Sequence, residues 1–311
     1  MSTLRQQPFL ITLAVLAVLL AVNTYLQPSF LTPGALQSNL TTFLPLVLVA
    51  IGQTYVILAA DIDLSIGAVV ALVNVTVVTV ITAMGDSGTA MLIGMGAGVL
   101  VGAACGLLNG FFVAVLRFQP IVTTFATGII FSGLAIWVLP QAGLGVPEAY
   151  WMGYSGFLLG LPTVLWIFLT GLIFTLIATR TVFHAHLLAV GGNRTGAFQT
   201  GLRSGAIRIG AYVISGIFAS LAALCLVGET ASGDPLLGPA LTLSSVSAVV
   251  LGGTALSGGF GTPLGSLFGA LVLGMIGNVI FFAGLPFEYQ TLVQGLIVLA
   301  ALAGGVFVTR R

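Results

Sequence analysis

The sequence predicts an all-α, polytopic membrane protein of about ten transmembrane helices with both termini cytoplasmic. Three observations carry that prediction. Only 15 of the 311 residues are charged, eight basic and seven acidic. Those few charges separate apolar blocks of membrane-spanning length. And once spans are laid over the blocks, every basic residue falls on one side.

The spans follow from the blocks in order. Residues 6–60, 64–85, 87–116, 118–147, 149–179, 209–228, 235–287 and 289–309 carry no Asp, Glu, Lys or Arg. A spanning helix needs about 20 mostly apolar residues. Each block therefore holds one span, except 6–60 and 235–287, which hold two. The predicted spans are 8–27, 40–60, 64–84, 90–116, 120–140, 162–180, 208–228, 241–257, 264–284 and 289–308. Composition agrees, with 58% apolar residues and a mean hydropathy of +1.20, against about 45–50% apolar in a soluble domain. The apolar runs are continuous and do not alternate with period two, which excludes an outer-membrane barrel. The first span is read as retained, because no small-residue cleavage site follows it. Cys105 and Cys225 fall inside spans and are read as packing residues.

Orientation comes from Arg5, Arg117, Arg180, Arg194, Arg203, Arg208, Arg310 and Arg311. With the amino terminus inside, all eight lie on the cytoplasmic face. Asp86, Glu148, Glu229, Asp234 and Glu288 then lie outside. The chain reads as a single transmembrane domain over 1–311, with one sizeable cytoplasmic loop at 181–207. The outer segment 141–161, rich in glycine and aromatics, is either an interfacial cap with Tyr150, Trp151 and Tyr154 at headgroup depth or a docking surface for an external partner.

Within the spans, Gly98, Gly102, Gly106 and Gly110 recur every four residues, a small-residue ridge that admits a neighbouring helix. Gly265 and Gly269 do the same in span nine. The glycine-dense stretch Leu251 to Gly265 cannot be a nucleotide loop, because the chain has no lysine. It is a tight turn between spans or part of a gate. Asp61 and Asp63, followed by Ser65, are the sharpest polar feature in an apolar setting, and ionisable residues among spans point to function. Span order places them near the cytoplasmic end of span two, within reach of water. They serve a gate, or Asp63 and Ser65 cap the start of span three, or both. His184 and His186 have no further ligand nearby, so no metal site, cofactor or catalytic set is expected. The amides Gln53, Asn74, Asn109, Gln119 and Asn278 suit either a neutral polyhydroxylated solute or bonds between helices.

Several stretches together resemble the permease subunits of bacterial ABC importers for sugars, the group that includes ribose, xylose and galactose-type permeases. Gly52 to Ala68 (GQTYVILAADIDLSIGA) is similar to that family's G-x-T-x-V-x-x-x-G-G-I-D-L-S-V-G. Leu107 to Thr127 resembles its N-G-then-P-x-x-x-T-L segment. Ala189 to Leu202 (AVGGNRTGAFQTGL) resembles A-I-G-G-N-x-x-A-A-x-x-S-G-I, and Ala248 to Asn278 its long glycine motif.

The resemblance implies a non-catalytic transport subunit in the bacterial inner membrane, surrounded by lipid. It would pair with itself or a related permease, over two cytoplasmic ATP-binding-cassette ATPases and beneath a periplasmic sugar-binding protein; no nucleic-acid partner is expected. The coupling element maps onto Ala189, Val190, Gly191, Gly192, Asn193, Gly196, Ala197, Thr200 and Gly201. The path or gate maps onto Gln53, Asp61, Asp63, Ser65, Asn109, Thr123 and Asn278. The chain departs from the pattern where Ala60 and Asp61 replace two glycines, Gly196 an alanine and Thr200 a serine, and where His184 and Ala185 replace a Gly-Arg pair.

Other function classes fare less well. An ion-coupled carrier would place ionisable residues near the midplane, whereas the acidic residues here fall near predicted span ends. A membrane enzyme lacks a catalytic set. Permeases for branched-chain amino acids or for a sugar-derived signal share the architecture and stay open.

Overall fold

A computed structural model describes residues 9–284, together with 286, 289, 292, 293, 295, 296 and 299. Arg5, Glu288, Arg310, Arg311 and most of the span predicted over 289–308 lie outside the described residues. The helices are α1 (Phe9–Leu26), α2 (Pro33–Leu58), α3 (Ile66–Ala83), α4 (Gly88–Ala114), α5 (Pro120–Val138), α6 (Glu148–Ser155), α7 (Thr163–Ala178), α8 (Val182–Gly192), α9 (Arg194–Gln199), α10 (Ser204–Thr230), α11 (Pro239–Leu251) and α12 (Pro263–Phe282). Six of them, α2, α3, α4, α5, α10 and α12, are long and apolar enough to cross a membrane. The pair α7 and α8 forms one further apolar stretch bent by 70°, and α1 and α11 are shorter apolar helices. The chain is thus a mostly helical, multi-pass membrane protein of the all-α class, and among the described residues a helix lies over each of the first nine predicted spans.

The helix starts are written locally. Pro33, Pro120, Pro239 and Pro263 occupy the first helical position, where no N–H is needed. Thr32, Ser87 and Thr262 each accept a bond from the N–H three residues on.

At the centre stands α2. Over its second half no side of it meets the surroundings: every residue from Val47 to Leu58 is buried. A helix buried all round belongs to a core. By contrast α4 buries one stripe, Ala90, Gly94, Gly98, Gly102, Cys105, Gly106, Asn109, Gly110 and Val113, and leaves Leu92 and Leu100 more than 70% exposed, as a lipid-facing helix does. Its glycines bring it onto α3 and α10. A methyl group at Gly98 would strike Val77, one at Gly102 the Ser220 hydroxyl, one at Gly106 the Tyr212 carbonyl and one at Gly110 the Ile209 backbone. Gly265 and Gly269 likewise lie against the Gly252 and Ala248 carbonyls at the end of α11.

Two stretches inside the bundle are not helical. Residues 59–65 link α2 to α3. Residues 231–238 run back along α3, with Gly233 against Val78, the Asp234 N–H donating to Asn74 Oδ1 at 2.8 Å, and Gly238 against Gly67. The eleven helical steps from Gly67 to Val78, about 16 Å, are matched in this way, so a segment that reads as an outer loop dips into the protein. Such backbone is tolerated at depth only when protein or water satisfies it; here Asn74 does so.

The segment 141–161, expected on the outer side, folds into α6 and contributes to two small antiparallel pairs. Leu144–Gly145 pairs with Ser232–Gly233, and Phe157–Leu158 with Leu161–Pro162. Tyr150 donates to the Leu224 carbonyl at 3.2 Å and Tyr154 to the Thr41 carbonyl at 3.2 Å. Both hydroxyls thus bond into the bundle, and Trp151 stays partly exposed.

Candidate functional site

Three of the sequence motifs meet at one end of the bundle. Helix α2 ends at Leu58, and Ala60 then adopts a left-handed conformation with φ 61° that turns the chain back inward. The Gly259 N–H donates to the Leu58 carbonyl at 3.0 Å. A methyl group at Gly191 would overlap that same carbonyl, one at Gly259 would fall on Gly192, and one at Gly258 on Ala60. The 59–65 turn, the 189–202 segment and the 251–265 loop are therefore stacked backbone against backbone. Gly258 and Gly259 also need positive φ, 81° and 71°, which side chains disfavour.

Asp61 ties the junction together. It is 2% exposed. Arg208 of α10 grips it with two prongs, Nε to Oδ2 at 2.8 Å and Nη2 to Oδ1 at 2.9 Å, and sends Nη1 to the Val113 carbonyl at 3.2 Å. Arg194, the first residue of α9, reaches Asp61 Oδ1 at 3.2 Å and the Ala59 carbonyl at 3.1 Å with one nitrogen, Nη2. Two-pronged guanidinium–carboxylate contacts are among the stronger and more directional ion pairs.

Asp63 serves a separate network one layer deeper. Its Oδ1 accepts from the Ser65 N–H at 2.9 Å and the Ser65 hydroxyl at 2.6 Å, and its Oδ2 accepts from the Ser215 hydroxyl at 3.3 Å. Ser65 accepts in turn from Asn109 Nδ2 at 2.7 Å, and Asn109 Oδ1 accepts from the Thr127 hydroxyl at 2.7 Å. Thr124 receives the Leu64 N–H at 2.9 Å. All of these side chains are buried.

Two expectations change here. Asp61 and Asp63 are both 2% exposed, so water does not reach them as span order suggests; the turn runs inward between α4, α5 and α10. Ser65 does not cap α3, because its hydroxyl donates to Asp63. Asp63 takes the N–H of Ser65, and the N–H of Gly67, in the first turn of α3, goes to Thr242 Oγ1 at 3.2 Å.

The predicted 181–207 loop is an ordered helical pair followed by the start of α10. Asn193 closes α8 by donating its N–H to the Ala189 carbonyl, and caps α9 by accepting from the Gly196 N–H at 2.9 Å. Gly196 has no side chain to crowd that cap: a methyl there would press on Asn193 at 3.1 Å. Val190 and Ala197 are buried, and Thr200 bonds back to the Ala197 carbonyl before Gly201 turns at φ 85°.

The other residues assigned to a path do not all join this junction. Thr123 only bonds back to the Gln119 carbonyl. Asn278 pairs with Asn39 at 2.8 Å, elsewhere in the bundle. Gln53 is fully buried with neither amide atom bonded among the described residues, while Gly52 beside it packs on Ser215. Among the described residues no group of three or more His, Cys, Asp or Glu converges on a metal position.

Sequence reasoning uses Arg194 and Arg208 only to orient the chain and misses them as partners of Asp61. The available signal is Asp61 itself, a carboxylate where two glycines are usual. Ser215, Thr124 and Thr127 carry no signal of their own, being ordinary hydroxyls in apolar helices.

Residues 35–302 match the family described as branched-chain amino acid transport system / permease component. The chain is 32% identical over 291 residues to the ribose import permease protein RbsC of Bacillus subtilis (strain 168), covering 92% of this chain and 89% of that protein. It is 32% identical over 290 residues to the L-arabinose ABC transporter permease protein AraH of Azospirillum brasilense, covering 93% and 84%. It is 30% identical over 296 residues to the D-allose transport system permease protein AlsC of Escherichia coli (strain K12), covering 94% and 90%. No solved structure gives a significant match.

Proposed function

The chain belongs to the family of branched-chain amino acid transport system permease components, and from that premise we propose that it is the membrane subunit of an ATP-driven importer for a monosaccharide. Relatives named for ribose, L-arabinose and D-allose, each at 30% identity or more over most of both chains, favour a sugar over an amino acid. In this reading ten spans cross the bacterial inner membrane, with both termini and the eight arginines cytoplasmic. A separate ATPase binds below, a second permease subunit beside, and a periplasmic binding protein above, while the chain itself has no catalytic role.

One observation supports the mechanism most directly. Arg194, in the segment assigned to coupling, is bonded to both Ala59 and Asp61 of the turn between α2 and α3. The same carboxylate is held by α10 through Arg208. A push on residues 189–202 is thereby delivered to the turn and to a central helix through the Arg194 side chain, and in parallel through the close backbone contacts of Gly191 with Leu58 and of Gly192 with Gly259. Asp61, Asp63, Ser65 and Asn109 form the moving junction; Gln53, buried with both amide atoms unbonded among the described residues, is placed to meet a solute hydroxyl. Stabilising one of two packings by a few kcal/mol is sufficient to shift such a transition.

The test is to purify the protein from its native cells in mild detergent and identify what accompanies it. Uptake of labelled ribose, arabinose, allose and leucine is then compared in matched cells with and without ATP. A co-purifying ATPase and ATP-dependent uptake of a monosaccharide support the reading. Uptake that survives ATP depletion and follows an ion gradient sinks it, and ATP-dependent uptake of leucine alone moves it to the amino-acid branch.

A further inference from the structure

Beside the Asp61 clamp, the same end of the bundle opens into a cavity of about 620 Å³. Four arginines line it: Arg117, which follows α4; Arg194, which opens α9; Arg203, which precedes α10; and Arg208 within α10. Half of the eight basic residues in the chain thus gather from three parts of the fold. Asp61 is their one carboxylate partner among the described residues. Four guanidiniums against one carboxylate leave a formal surplus of three positive charges.

The donors are not equally occupied. Arg208 has acceptors at Nε, Nη1 and Nη2. Arg194 uses only Nη2 and keeps a side chain that is 45% exposed. The side chains of Arg117 and Arg203 make no hydrogen bond or ion pair among the described residues. The demand for a carboxylate is already met by Asp61, and what is left is a set of planar forks approaching one space from different elements. Such a set matches an anion with several oxygens in a tetrahedral array. The remaining wall mixes Phe118 and Phe198, 54% and 72% exposed, with the polar side chains of Gln119, Thr195 and Ser204.

We propose that this cavity binds a phosphoryl anion, with Arg117 and Arg203 as its principal ligands and the unused nitrogens of Arg194 as the third. The anion is the phosphodiester of an acidic lipid headgroup or a soluble phosphate. Through Arg194 it shares a contact with the Asp61 clamp, so its occupancy bears on the junction described above.

The full-length protein, purified in detergent, is titrated with phosphatidylglycerol, with phosphatidylcholine and with inorganic phosphate. Native mass spectrometry counts bound lipid and calorimetry reads phosphate. The variants are Arg117→Gln, Arg203→Gln, their combination, the fork-removing Arg117→Lys/Arg203→Lys pair, and Arg180→Gln, a basic residue outside the cavity. Each lost charge-assisted contact is expected to weaken binding by about tenfold, with Arg180→Gln like the parent and the lysine pair intermediate. A preference for phosphatidylglycerol without phosphate binding identifies the lipid; phosphate binding identifies the soluble ion. Equal retention of both lipids with no phosphate binding overturns the proposal. So does unchanged anion binding in the double glutamine variant, whether or not that variant loses a co-purifying protein; such a loss would assign the face to a protein partner. Because both arginines are exposed, a thermal melt like the parent's is expected, and the lysine pair supplies the same reading should the glutamine pair unfold.

Discussion

Asp61 and Arg208, 147 residues apart in the chain, hold each other through Nε–Oδ2 and Nη2–Oδ1 contacts of 2.8 and 2.9 Å, with neither side chain more than 8% exposed. A buried pair of this kind is costly to break from one side, because the survivor is left charged and dry. It contributes little net stability compared with an apolar pair of the same shape. Its value here is positional: it fixes the turn after α2 to the second turn of α10.

Removing one partner should therefore cost far more than removing both. Arg208→Leu or Asp61→Ala alone is expected to destabilise the protein by about 3–5 kcal/mol. The double variant should recover most of that loss. Thermal unfolding of the four proteins in one detergent measures the difference, and additive losses would show that the two side chains do not depend on each other.

Arg194 offers a milder and more functional test. It is half exposed and gives Asp61 a single nitrogen, so Arg194→Ala should cost stability only about 1 kcal/mol. If it carries motion from the 189–202 segment, uptake should fall by about fivefold or more, the low end of a coupling free energy of about 1–3 kcal/mol. ATP hydrolysis by the assembled transporter should persist. Equal loss of hydrolysis and uptake would make Arg194 a docking residue instead.

Two glycines on the same helix should answer oppositely to one added methyl. At Gly102 the methyl meets the Ser220 hydroxyl and the Gly216 carbonyl, whereas at Gly96 nothing lies within 4 Å. Gly102→Ala is expected to destabilise by about 1–3 kcal/mol through overpacking. Gly96→Ala is expected to gain up to about 1 kcal/mol from helix propensity. Unfolding midpoints of the two variants settle the ordering.

Ala60 sits at φ 61°, where a side chain costs roughly 1–2 kcal/mol. Ala60→Gly should relieve part of that and raise the unfolding midpoint. It should take away only one of the three atoms that crowd a methyl at Gly258, since the Ala60 backbone N and Cα lie there at 2.6 and 2.7 Å. Gly258→Ala, which also has to hold φ 81°, should thus lower the unfolding midpoint in both the parent and the Ala60→Gly background.

Gln53 buries an amide with no partner among the described residues, at a cost of about 1–3 kcal/mol. Gln53→Leu is expected to stabilise the protein by a similar amount and to lower solute uptake. A variant that is both more stable and fully active would remove Gln53 from the path.

Much of the architecture is legible residue by residue. The Thr32-Pro33 and Thr262-Pro263 pairs announce helix starts, and the Gly98 to Gly110 series announces a close helix neighbour without naming it. The site is legible only in pieces. Asp61 stands out as a charge where glycines are usual, yet nothing local says that it answers Arg194 and Arg208 while Asp63 turns to hydroxyls. The inward course of 231–238 is invisible as well, since Asp234 and Pro235 read as an ordinary outer turn.

What the sequence determines by itself is the set of apolar helices, because a block of about 20 residues meets lipid or protein interior on its own composition. The tertiary structure alone decides which buried polar groups satisfy one another. Asp61 with Arg208, Asp63 with Ser215 and Ser65 with Asn109 are separated by 147, 152 and 44 residues. An apolar helix is stabilised by the sum of its side chains and tolerates a small shift along its axis. A buried carboxylate is stabilised only by donors placed within about 3 Å of its oxygens, and that placement exists only once all the helices have packed.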